Sequence, residues 1–242
     1  MKKAAANLLL ILSISYFAVI SSWYICYSND FYYPLAYVTA DIGGQIQKRA
    51  QSDRRYTIFA SADSGQGISL FHNLLKRIEN GGEGLGKLTY TDSDGNRRLF
   101  LDSAEAESLS GMSDMLNFVK RMYRPFLLLV VLVCAYMVTA KVRTCSWRQT
   151  ARTLSYVFTA FTAVLYFYGF DKFLNFLHKS IFGVDSEFLF RSGKGLLSLI
   201  IPYPSMYVFL WCIFLITALG SLGLLYLVCG TVVNAFIGKK YL

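Results

Sequence analysis

Apolar residues are concentrated in four blocks along the chain, and the charged residues lie mostly between these blocks. A helix needs about 20 predominantly apolar residues to cross a bilayer core of roughly 30 Å. The pattern therefore predicts a mainly α integral membrane protein with four transmembrane helices, which we place within residues 1–27, 125–140, 154–170 and 205–237. The last block is longer than a bilayer requires, so we expect its helix to tilt or to project beyond the membrane.

Residues 28–124, between spans 1 and 2, have a pattern that predicts a small α+β domain. The first signal is a helix with one apolar face, which ends at Asn80-Gly81-Gly82. Two alternating stretches around Asp94-Gly95 then predict a β-hairpin. Asp102 and Glu105 have the spacing of a capping box, and they predict the start of a second helix that leads into span 2.

The segment between spans 3 and 4, residues 171–204, is short and partly amphipathic. Its apolar positions recur at helical spacing on one face, at Phe173, Phe176, Leu177 and Ile181. This spacing predicts a short helix that lies on the outer surface of the membrane and ends at Gly183.

The distribution of charge sets the predicted orientation. The chain has 24 Lys and Arg against 15 Asp and Glu, a net charge of +9. Every acidic residue lies in residues 28–124 or 171–204, whereas residues 141–153 and 238–242 carry only basic charges. Basic loops stay in the cytoplasm, so both termini are predicted to be cytoplasmic and the α+β domain extracytoplasmic. A basic excess confined to such loops argues against a nucleic-acid partner.

The cysteines add no chemistry to this picture. Four of the five lie in the apolar blocks, and Cys145 lies in the predicted cytoplasmic loop 141–153. The outer segments contain none, so we predict no disulfide framework, and no spacing indicates a metal site. Span 1 is predicted to be an uncleaved signal anchor, because its apolar run is longer than that of a typical signal peptide.

His178 is the first candidate for chemistry, because it follows span 3 where the chain should reach the membrane surface. Imidazole can take a proton near neutral pH, which makes His178 a candidate general base. Lys179 and Asp185 follow it and are candidates for binding a lipid substrate. The alternative is a set of ordinary polar residues at the membrane surface.

Three charged residues near the outer end of span 2 are further candidates. Asp114 could orient an imidazole or accept an ammonium group, or it could pair with Lys120, Arg121 or water. Arg121 and Arg124 could hold a lipid phosphate through charged hydrogen bonds, or they could be snorkelling anchors. The remaining histidine, His72, is expected on the solvated face of its helix.

Several of these segments resemble the lipoprotein intramolecular transacylase family of bacterial membrane proteins. The stretch Phe176–Asp185 is similar to the Phe-His motif that follows span 3 in that family, and Leu199-Ile-Ile-Pro202 is similar to the start of its span 4. Residues 99–105 and 111–115 are similar to the end of its outer domain. The layout of four spans with an outer domain between spans 1 and 2 is the same.

The resemblance implies an acyl transfer in the bacterial cytoplasmic membrane. Family members move an acyl chain from the diacylglycerol of a lipoprotein to the amine of its N-terminal cysteine, which leaves a lyso-form lipoprotein. The implied partners are membrane lipid and a membrane-anchored lipoprotein, with His178 as the base and Asp114 as its partner. No cofactor is implied, because the transfer joins two groups of one molecule that are already held close together.

The chain departs from the family at two positions. Gly111 stands where the family has a second histidine, and Leu177 stands where it has a phenylalanine. Two alternatives to the enzyme therefore stay open. One is a catalytically inactive relative that binds lipid or lipoprotein. The other is a membrane subunit or sensor whose outer domain binds a partner.

Overall fold

The chain is mainly helical, as its pattern predicts. A computed structural model describes residues 2–62, 65–169, 172–173, 176, 179–180, 195–202 and 205–239. In chain order the helices are α1 (Lys2–Ser28), α2 (Tyr33–Thr39), α3 (Ile42–Ala50), α4 (Arg54–Ala60), α5 (Gln66–Glu79), α6 (Ser103–Arg121), α7 (Tyr123–Thr139), α8 (Trp147–Tyr168), α9 (Leu197–Ile200) and α10 (Ser205–Lys239). Strands β1 (Thr89–Thr91) and β2 (Arg97–Leu99) form a small sheet.

The fold divides into two compact units. Unit 1 contains Met1–Ile25, Val119–Phe170 and Leu215–Leu242, and unit 2 contains Cys26–Phe118 and Asp171–Phe214. Unit 1 therefore contains most of the long apolar helices, and unit 2 contains the two-stranded sheet and the short helices α2, α3 and α4.

Three helical segments are long and apolar enough to cross a membrane. They are Ala5–Ser28, Ser103–Thr139 and Phe209–Gly238. The second combines α6 and α7, which are separated only at Met122. Among the described residues, helix α8, the predicted third span, does not meet these criteria, so that span and the total of four stay predictions.

Unit 1 has a core in which α1, α7 and α10 pack against one another. Side chains from all three helices are buried there, among them Leu10, Ile14, Met137, Val233 and Ile237. The opposite faces of the same helices are also apolar but exposed: Leu128 is 60% exposed and Leu224 is 64% exposed. Helices that are apolar on every side are typical of membrane spans, where lipid covers the outer face.

A polar network inside unit 1 holds the loop between α7 and α8. Asn7 is buried on α1, and its Oδ1 accepts hydrogen bonds from the backbone N–H of Cys145 and from the hydroxyl of Tyr226, both at 2.8 Å. The preceding residue, Thr144, accepts a hydrogen bond through its hydroxyl from the side-chain amide of Asn234 on α10, at 2.9 Å. The loop is therefore bonded to both α1 and α10.

Unit 2 confirms the helix, the hairpin and the capping box that the sequence predicts. Helix α5 buries Phe71, Leu74 and Ile78 on one face and ends at Asn80. The two strands pair antiparallel, with Tyr90 opposite Arg98. Helices α2, α3 and α4, by contrast, are too short to carry a clear apolar period, and the sequence pattern does not predict them.

Candidate functional site

The predicted site residues are described only in part. His178 and Asp185 lie outside the described residues. The described positions of the predicted surface helix, among them Phe176 and Lys179, are helical, and the side chains of these two residues are exposed. The prediction that His178 and Asp114 share one site therefore stays a prediction.

Asp114, Arg121 and Arg124 are all exposed. Asp114 belongs to the part of α6 that lies in unit 2, and the two arginines belong to unit 1. None of the three makes a hydrogen bond or an ion pair with a residue that the structure describes. All three side chains are therefore accessible at the surface of the described structure.

One segment of the loop between α8 and α10, residues 195–202, is packed in the interior of unit 2. Leu196, Leu199 and Ile200 are buried, with exposures of 0%, 1% and 0%. The hydroxyl of Tyr33 donates a 2.7 Å hydrogen bond to the carbonyl of Ile200, and burial raises the pKa of Tyr33 far above its ordinary value. Tyr33 therefore remains a neutral donor, and the segment 195–202 is anchored at its C-terminal end.

Glu105 anchors the N-terminal end of the same segment. One carboxylate oxygen, Oε2, accepts a hydrogen bond from the backbone N–H of Asp102 at 3.0 Å and closes the capping box of α6. The other, Oε1, accepts one from the backbone N–H of Leu197 at 3.2 Å. A Cβ at position 195 would overlap this carboxylate, so Gly195 permits the close approach.

A His–carboxylate pair that the sequence does not predict lies elsewhere in unit 2. The Nδ1 atom of His72, on α5, is 2.8 Å from Oδ1 of Asp30, and their side chains are 57% and 32% exposed. A carboxylate at this distance orients an imidazole. The exposure of His72 agrees with the predicted solvated face. The pairing links positions 42 residues apart, so no local motif could have revealed it.

The backbone around Asp30 is strained. Asp30, Phe31 and Tyr32 all have left-handed conformations, with φ of 47°, 52° and 55°. Such a conformation costs a non-glycine residue about 1 kcal/mol or more, and three in succession are unusual. Two packing interactions stabilise the turn and offset the free-energy cost of this strain. Phe31 is buried, and Tyr33 stacks on Phe71 with ring centroids 4.0 Å apart. Strained turns of this kind are frequent at functional sites.

The chain is not matched by any protein-family model, any curated protein or any solved structure. The resemblance to the transacylases therefore rests on the short motifs in the sequence. Within the described part of the chain there is also no group of three His, Cys, Asp or Glu side chains that could hold a metal ion.

Proposed function

We propose that the protein is a transacylase of the bacterial cytoplasmic membrane, with both termini in the cytoplasm. It moves an acyl chain from the diacylglycerol of a membrane-anchored lipoprotein to the amine of the lipoprotein's N-terminal cysteine. The observation that carries the proposal is the burial of segment 195–202 in unit 2. This segment is the end of the loop that bears His178, and Glu105 ties it to α6, the helix that bears Asp114.

The proposed chemistry needs one base and one proton donor. The cysteine amine must be neutral to attack, so its ammonium form first releases one proton to water. As the nitrogen bonds to the ester carbonyl carbon, His178 takes a second proton from that nitrogen. The bond from the carbon to the glyceryl oxygen breaks, and the imidazole gives this proton to the leaving oxygen. Asp114 orients the imidazole or binds the ammonium group before transfer. The reaction exchanges an ester for an amide and needs no oxidant, reductant or cofactor.

His72, which is paired with Asp30, is an alternative candidate for the general base. It has a carboxylate already at hydrogen-bond distance from the imidazole, and both side chains are accessible. Its position on α5 does not match the family motif, which favours His178. The two histidines are therefore the residues that a functional test must separate.

The test is expression in a bacterium whose lipoproteins are diacylated, followed by mass spectrometry of a lipoprotein N-terminal peptide. We expect an N-acyl, lyso-glyceryl cysteine. His178→Ala should reduce this product by a factor of about 100 or more, because general base catalysis contributes that much. His72→Ala, which removes the other imidazole, should keep most of the product.

Two other outcomes would lead to different conclusions about the base and the function. Loss of product in His72→Ala with retention in His178→Ala assigns the base to His72. An unchanged diacylglyceryl peptide, despite full-length protein in the membrane, contradicts the transacylase proposal. That result would favour a catalytically inactive protein that binds lipid or lipoprotein. The buried Gly111, where the family has a histidine, is the observation that favours this second function.

A further inference from the structure

A shallow groove of about 640 Å³ lies on unit 2, between the start of α4 and the β-hairpin. Three arginines, one tyrosine and two aliphatic residues line it: Arg54, Arg55, Arg98, Tyr90, Ile58 and Leu99. Its volume is within the range of pockets that hold organic ligands of drug size. None of these residues belongs to the predicted acyl-transfer site, and the inference drawn from them does not rest on that function.

The groove is basic although the domain around it is not. Residues 26–118 contain more Asp and Glu than Lys and Arg, yet three guanidinium groups meet in this one concavity. Two carboxylates accompany them, and both are already engaged. Asp53, in the lining, accepts a hydrogen bond from the backbone N–H of Arg55 at 2.7 Å. Asp92, buried beside the groove, accepts one from Nε of Arg98 at 2.6 Å. One positive charge is left in excess.

The arginines keep hydrogen-bond donors available. Arg54 is exposed and makes no hydrogen bond or ion pair with any residue in the described ranges. Among the described residues, Arg55 has one acceptor, the carbonyl of Phe100, to which its Nη2 donates at 3.3 Å. In the same part of the chain, Arg98 donates only from Nε, and its side chain is 43% exposed. Guanidinium groups with free N–H donors suit the oxygens of phosphate or carboxylate groups.

The environment of Tyr90 is evidence for a ligand that does not depend on the charge of the groove. It is 4% exposed, yet its hydroxyl forms no hydrogen bond with any described residue, although it lines the groove. Its ring is held edge-on by Phe59, with centroids 5.0 Å apart. Burial raises the pKa of Tyr90, although Arg98 and Arg55 lower it in part, so the hydroxyl keeps its proton and can donate it in a hydrogen bond. A buried polar group without a partner is costly, and a bound acceptor would remove that cost.

We propose that this groove binds the phosphodiester group of a glycerophosphate ligand. A phosphodiester is a singly charged oxyanion, which matches the single excess positive charge. Its oxygens would accept hydrogen bonds from the free N–H groups of Arg54 and Arg55 and from the Tyr90 hydroxyl. The carbon skeleton would lie on Ile58 and on Leu99, which is 57% exposed. The same chemistry occurs in phospholipid headgroups and in soluble glycerophosphodiesters.

The test uses the full chain, purified in a non-ionic detergent, in two arms. In the first, glycerophosphoglycerol is titrated and its binding is measured by calorimetry. In the second, short-chain phosphatidylglycerol is added and the bound lipid is counted by native mass spectrometry. Binding in the first arm identifies a site that the headgroup alone can fill. Binding in the second arm alone identifies a lipid site, in which the acyl chains contribute.

Three variants separate a built site from general attraction of anions. Tyr90→Phe removes only a hydroxyl that has no partner among the described residues, so the variant should fold normally and bind about tenfold more weakly. Arg54→Gln should weaken binding by a similar factor. Arg97→Gln removes an equal charge from the same hairpin but outside the groove lining, and it should leave the affinity within about twofold of the wild type. Thermal unfolding of each variant provides the check on folding.

Three results would overturn the proposal. The first is the absence of binding in both arms at ligand concentrations up to about 10 mM, where even weak specific complexes form. The second is equal affinity in Tyr90→Phe and wild type, and the third is an equal loss in Arg97→Gln and Arg54→Gln. The second or the third would mean that the groove attracts anions only through its charge. None of these results depends on acyl-transfer activity, which is tested separately.

Discussion

The carboxylate of Glu105 accepts a hydrogen bond from the backbone N–H of Leu197, which lies 92 residues further along the chain. The same carboxylate closes the capping box at the start of α6. One side chain therefore satisfies two backbone donors that belong to separate segments. The start of α6 and the segment before α10 are coupled through it.

This coupling predicts the effect of removing the carboxylate. Glu105→Ala leaves the N–H groups of Asp102 and Leu197 without their acceptor, so we expect a loss of about 1–3 kcal/mol in the free energy of unfolding. Hydrogen exchange in segment 195–202 should accelerate in this variant. Glu107→Ala is the matched control, because Glu107 is exposed on the same helix and has no such contact. Unchanged exchange in segment 195–202 of Glu105→Ala would contradict the coupling.

The left-handed turn predicts a stabilising substitution. Tyr32 has φ of 55° and a side chain that is 42% exposed, and asparagine adopts this conformation at lower cost than tyrosine. Tyr32→Asn should therefore raise the free energy of unfolding by about 0.5–1 kcal/mol. Leu35→Asn, at an exposed position in the right-handed α2, should lower it instead. Thermal unfolding followed by circular dichroism measures both, and a destabilised Tyr32→Asn would show that the tyrosine ring outweighs the strain.

The ion pair of the hairpin predicts a response to acid. The hydrogen bond from Arg98, together with those from Asn96 and Asp94, lowers the pKa of Asp92 below the ordinary aspartate value of 3.8. The stabilisation from this ionised group is therefore complete above that value and is lost as the pH falls through the lowered pKa. Hydrogen exchange at β1 and β2 should accelerate over this acidic range. Asp92→Asn should lack that pH dependence, whereas Asp94→Asn should keep it.

The number of spans predicts where the termini lie. Four spans place the two termini on the same side of the membrane, and three place them on opposite sides. We expect reporters fused at either end to be active on the cytoplasmic side, because the basic loops favour that orientation. A C-terminal reporter that is active only outside the cytoplasm would mean that α8 does not cross the bilayer.

The parts of the fold that the sequence predicts are those with local causes. The apolar face of α5, the Asp94-Gly95 turn and the Asp102–Glu105 capping box each depend on residues within one or two turns of the chain. Helices α2 and α4 have only seven residues each, which is too short for a period to be recognised. Their positions depend on packing against distant residues, such as Tyr33 against Phe71.

The candidate sites divide in the same way. The prediction of His178 depends on its place after an apolar block and on resemblance to a motif, which are properties of the sequence. The pair His72–Asp30 and the groove around Tyr90 bring together residues from separate elements. Neither the hydrophobic periodicity nor the spacing of residues in the sequence indicates that these side chains lie close together. An unpartnered hydroxyl in particular is visible only once its neighbours are known.

The network of Asn7, Cys145 and Tyr226 has a consequence for biosynthesis. Its members come from the first apolar helix, a central loop and the last helix, and they complete one another's hydrogen bonds. During translation, Asn7 and Cys145 are made long before Tyr226 emerges from the ribosome. Until then, Asn7 lacks the Tyr226 hydroxyl, and the loop that contains Cys145 is bonded to α1 but not to α10. The last helix must therefore be complete before this loop is held at both of its attachment points.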